Sequence, residues 1–89
     1  MPDYQVLYWR TIPAQARVFD GRRPLSRQLP PRFQAIIDRV AMAEGFAGTD
    51  DYLAQWQWTE KRQRDGDPPQ LLDTIVQELI EEYDRTQQS

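Results

Sequence analysis

The chain has 89 residues, 39% hydrophobic and 28% charged, with a formal net charge of −3, so it has material for one small core. It contains no histidine and no cysteine, which excludes disulfide scaffolds, Cys/His zinc sites, Ser-His-Asp triads and thiolate nucleophiles. Acid–base chemistry would fall to carboxylates, tyrosines and the single lysine, Lys61, so a non-enzymatic role without metal or cofactor is expected.

In chain order, Tyr4 to Trp9 (YQVLYW) is dense in aromatic and branched residues and predicts a strand. Val6 and Tyr8 alternate with Leu7 and Trp9, so both faces carry apolar groups, as in a central strand. The stretch TIPAQ, with Pro13, predicts a turn, and Gln15 to Phe19 a second strand closed by Asp20-Gly21. Arg22 to Leu29 is basic and proline-containing and is expected to be an irregular connector.

Pro30 and Pro31 then open a helix, since the first helical amides need no partner. Phe33, Ile36, Ile37, Val40 and Ala41 give it one apolar stripe, and Gly45 should end it in a left-handed cap with Phe46 folding back. Thr49 should cap a short turn that carries Asp50, Asp51, Tyr52 and Leu53. In AQWQWTEKRQRDG, Trp56 and Trp58 fall on one face of a strand, whereas in a helix they would diverge. Asp67 followed by Pro68 and Pro69 opens the last helix, whose stripe is Leu72, Ile75, Val76, Leu79, Ile80 and Tyr83. Residues 85–89 are expected to fray.

The predicted order is β-β-α-β-α: an α+β two-layer sandwich with a three-stranded sheet and two helices on one of its faces. The third strand is placed beside the first. One domain is expected over 1–89, with its core at about 4–84. No run approaches the roughly 18 apolar residues of a membrane span, and the first ten residues lack signal-peptide character, so a cytoplasmic location is expected.

The segment YQVLYWRTIPAQARVFDGRRPLSRQLPPRFQAIIDRVAM, then GTDDYLAQWQW and GDP before a helix, resembles the virulence factor domain family. Trp9, Pro13, Asp20-Gly21-Arg22, Phe33, Asp38, Gly48 to Leu53, Trp56 and Trp58 carry the likeness. The resemblance implies a small bacterial domain that occurs alone or ahead of HEAT-type helical repeats, as in proteins similar to conserved virulence factor C. It implies no catalytic or ligand residues.

Charge is distributed unevenly. Residues 1–32 sum to +4 and residues 66–89 to −5. The candidate interaction surface is Tyr4, Tyr8, Arg10, Arg17, Arg22, Arg23 and Arg27, on a sheet face left open by the helices and on the arginine loop beside it. It points to a protein-interaction or accessory module with a protein partner, and leaves weak self-association open. The weaker alternative is Trp56 and Trp58 stacking on a small ligand or on bases, with Lys61, Arg62 and Arg64 on phosphates. An acidic chain disfavours that reading. It is expected instead that both tryptophans lie under the helices. The adjacent Asp50 and Asp51 suit a helix start better than a metal shell.

Overall fold

The computed structural model describes residues 2–21, 23–46 and 48–87. Within them lie five strands: β1 (Asp3–Trp9), β2 (Ile12–Asp20), β3 (Arg23–Gln28), β4 (Trp56–Trp58) and β5 (Arg62–Gln63). The helices are α1 (Pro31–Ala43), α2 (Asp50–Ala54) and α3 (Pro68–Gln87). The strands form one antiparallel sheet in the order β3-β2-β1-β4, with β5 pairing β1 on the same side as β4. The α+β architecture is as the sequence predicts, including the placement of the Trp56–Trp58 strand beside the first. The element count is not. The expected basic connector is strand β3, and the third strand is split in two.

Each difference has a local cause. Pro13 does not make the first turn but lies within β2 opposite Tyr8, where the register with β1 shifts. A residue without an amide hydrogen is tolerated at such a bulge. The turn is instead Arg10-Thr11, and Arg10 takes φ 57°. Its side chain pairs with Glu44 and lies over the rings of Phe46 and Trp9, which holds this uncommon backbone in place. The Asp20-Gly21 turn is found as predicted, with Gly21 at φ 62°. β3 is an exposed edge strand with Pro24 and two described arginines in it, features that discourage pairing with another chain.

Between β4 and β5 the strand breaks at residues 59–61. There Thr59 replaces the missing ladder bond: its Oγ1 accepts the Val6 amide at 3.0 Å, and its own amide donates to the Val6 carbonyl at 2.9 Å.

α1 ends as predicted. Gly45 takes φ 76°, its amide donates to the Met42 carbonyl, and the Phe46 amide donates to Ala41 at 2.7 Å. Thr49 precedes α2, but its hydroxyl donates back to the Phe46 carbonyl at 2.6 Å rather than capping the helix. α3 runs on through Arg85 to Gln87, past the predicted start of fraying.

Antiparallel register assigns the two sheet faces. Tyr4 and Val6 lie opposite Val18 and Ala16, and these oppose Leu25 and Arg27. This face, continued by Tyr8, is covered by α3, whose Leu71, Leu72, Ile75, Val76 and Leu79 are buried. Each such side chain contributes about 1.5–3 kcal/mol when fully removed from water. The other face carries Asp3, Gln5 and Leu7 opposite Phe19, Arg17 and Gln15, with Trp58 opposite Leu7.

The start of α1 lies beside the sheet: Pro31 and Gln34 share a hollow with Leu7, Gln15, Gln28 and Trp56. The helices meet where Phe33 stacks edge-on with Tyr83 at 5.2 Å and Arg32 forks onto Asp84. Trp9, fully buried, closes the core at this end. Its indole Nε1–H donates to the Tyr52 carbonyl at 3.0 Å, and the Tyr52 and Phe46 rings lie 5.7 and 6.4 Å away.

Candidate functional site

The structure disperses the residues expected to form one open surface. Tyr4 and Tyr8 lie beneath α3, lining a hollow of about 240 Å³ with Ile75, Glu78, Leu79 and Glu82. Burial pushes the Tyr8 phenol above its ordinary value of 10.0, the Glu82 carboxylate adds to this, and Arg62 opposes it. Arg10 is engaged with Glu44 at the turn, and Arg27 reaches Asp73 of α3. Arg23 is exposed on β3 opposite Asp20, and Arg22 lies outside the described residues. Arg17 is on the face opposite Tyr4 and Tyr8. Among the described residues the expected set does not share one surface, because strand alternation sends Arg17 and the tyrosines to opposite sides.

The tryptophan set also divides. Trp56 is half-buried, edge-on to Tyr52 at 6.1 Å. Arg62 pairs with Tyr4 in β5, while Arg64 forks onto Glu78 at 2.7 and 2.5 Å, on the α3 side. Trp58, on the same side of β4 as Trp56, and Lys61 belong to the face that α3 leaves uncovered. The expectation of both tryptophans beneath the helices is thus corrected for Trp58.

On that face the structure assembles a cluster that neither expected set contains whole. The Arg17 guanidinium carbon lies 3.8 Å from the Trp58 ring centroid and 5.1 Å from that of Phe19. Lys61 Nζ lies 4.5 Å from the Phe19 centroid. Trp58, Arg17, Phe19 and Lys61 therefore alternate ring and cation across β4, β2 and the β4–β5 link. Such contacts are worth about 0.5–1 kcal/mol when exposed and about 2 when desolvated. Arg17 Nε and Nη2 both donate to Gln5 Oε1, at 3.1 and 2.7 Å, and Gln5 Nε2 donates to the Thr59 carbonyl at 2.9 Å. This chain of bonds orients the guanidinium.

Among the described residues neither Arg17 nor Lys61 is in an ion pair, whereas Arg10, Arg27, Arg32 and Arg64 each hold a carboxylate. Arg17 Nη1 and the Lys61 ammonium retain donors for an outside oxyanion. Phe19 and Gln5 were not singled out from the sequence. The signal that finds them is register: Gln5 lies opposite Arg17, with Phe19 two residues further along β2.

Among the described residues no three carboxylates gather as a metal cage, and Asp50 and Asp51 are exposed in the first turn of α2. No described helix is long and apolar enough to cross a membrane.

Neither the curated proteins nor the solved structures include a match to this chain. The protein family described as "Virulence factor" matches residues 7–88, a span that runs from the middle of β1 through all of α3. That span includes Trp9, Phe33, Trp56 and Trp58, and the chain belongs to the virulence factor family.

Proposed function

We propose that this protein is a non-enzymatic interaction module that docks an acidic segment of a partner protein on its open sheet face. The observation that carries the reading is the pair of cations, Arg17 and Lys61, seated on Trp58 and Phe19 without ion-pair partners among the described residues. A guanidinium already oriented by Gln5 loses little freedom on meeting a carboxylate, so its binding energy is not spent on ordering. A cytoplasmic setting is part of the proposal.

The same face is the place where a nucleic acid or small-ligand reading must be tested. It is disfavoured because the protein's own cations already lie over the rings on which bases would stack. Arg62 and Arg64 point to the other side of the sheet, so among the described residues no continuous basic track follows the aromatics.

Tryptophan emission separates the readings. An aspartate- and glutamate-rich decapeptide is expected to change emission saturably, with weakening as salt rises, and Arg17→Gln with Lys61→Gln is expected to abolish the response while far-UV dichroism is unchanged. Tighter binding of a single-stranded oligonucleotide would favour the alternative. No response to the peptide at low salt, or an undiminished response in the double variant, would overturn the proposal.

A further inference from the structure

A second feature lies on the opposite side of the sheet. Between β1, the start of β2 and the last turns of α3 is a hollow of about 360 Å³, at the small end of ligand-binding cavities. Pro13 and Leu79 contribute its apolar wall, Tyr8 and Tyr83 its rings, and Glu82 its charge. Among the described residues no cationic side chain lines it.

Glu82 differs from three other carboxylates of α3. Asp73, Glu78 and Asp84 each meet an arginine, namely Arg27, Arg64 and Arg32. Glu82 enters no ion pair among the described residues, although it stands close enough to Tyr8 to raise that phenol further. Arg62 lines the adjoining hollow, which Tyr8 and Glu82 also line, but it does not line this one and makes no ion pair with Glu82. A carboxylate in no ion pair among the described residues, lining a hollow with two aromatic rings and an apolar wall, matches a positively charged head on a hydrocarbon chain.

We propose that this hollow binds an alkylammonium group, with the ammonium on Glu82 between the Tyr8 and Tyr83 rings and the carbon chain against Leu79 and Pro13. The group belongs either to a small free amine or to a lysine side chain of a partner. The site stands apart from the Arg17–Trp58 face, so it holds or fails independently of the docking proposed there.

The test uses the full chain and two-dimensional NMR. Pentylammonium is expected to shift the ring signals of Tyr8 and Tyr83 saturably, with 1-pentanol, its neutral counterpart, binding about tenfold more weakly. Glu82→Gln should reduce pentylammonium to the level of the alcohol. Glu81→Gln removes the same charge one residue away, outside the lining, and should leave binding unchanged. In parallel, a capped lysine amide that binds more tightly than pentylammonium assigns the site to a peptide side chain, and the reverse order assigns it to a free amine. No saturable shift, equal binding of the amine and the alcohol, or equal losses in the Glu81 and Glu82 variants would overturn the proposal.

Discussion

Arg17 and Trp58 stand on strands that are not neighbours, β2 and β4, yet the guanidinium reaches across β1 to lie 3.8 Å from the indole centroid. Gln5, on the strand between, fixes the reach by accepting two of the guanidinium's hydrogen bonds. Replacing Arg17 with Gln removes the guanidinium from both rings and leaves Lys61 over Phe19. The expected cost is about 0.5–2 kcal/mol, read as a lower urea midpoint with an unchanged slope. Trp58 emission should change with it; identical stability and emission would mean that the stack contributes nothing.

The bond between the Val6 amide and Thr59 Oγ1 spans the gap where β4 gives way to β5. Thr59→Val keeps the shape but leaves that partly buried amide without an acceptor. A loss of about 1–3 kcal/mol is expected. Thr59→Ser, which retains the hydroxyl, should recover most of it. Hydrogen exchange at Val6 checks the cause: the valine variant should expose that amide, and the serine variant should protect it.

Gly45 ends α1 at φ 76°, with open space around the position of a Cβ atom. Gly45→Ala therefore meets no clash and reports backbone strain alone, about 1–2 kcal/mol for an L-residue in the left-handed region. Gly45→Asn should cost less, because asparagine visits this region more readily. Thermal unfolding of the two variants should rank them in that order.

Two exposed forks on α3 make stability depend on acid. Hydrogen bonds from Arg64 hold the Glu78 carboxyl below its ordinary 4.5, and those from Arg32 hold Asp84 below its ordinary 3.8. Both folded values are depressed, so the stabilisation is fully present above the ordinary values and is lost as pH falls through the depressed ones. The melting temperature should decline as pH drops below about 4.5, and Glu78→Gln with Asp84→Asn should flatten that decline. Because both pairs are exposed, about 1 M NaCl, where the Debye length is about 3 Å, should shrink the difference between wild type and variant.

What could be read in advance was local. The apolar stripe of α3, the proline start and Schellman end of α1, the Asp20-Gly21 turn and the period-two spacing of Trp56 and Trp58 all depend on near neighbours in the chain. β3 escaped detection because its burial is slight: five of its six residues are exposed, so its sequence lacks the alternation that marks a half-buried strand. The β4–β5 break was equally hidden, since it depends on a threonine hydroxyl meeting an amide far away in sequence.

The candidate site shows the same division. Alternation by itself determined that Tyr4 and Tyr8 share one face of β1 and that Trp56 and Trp58 share one face of their strand. Which face α3 would cover was left open, because β1 carries apolar residues on both. Only the tertiary structure decided it, by laying Leu72, Ile75, Val76 and Leu79 over the tyrosine face. In the chain the basic residues follow the tryptophans, yet in space Arg17 and Lys61 alternate with Trp58 and Phe19. That interleaving comes from cross-strand register, a long-range pairing that residue order does not contain.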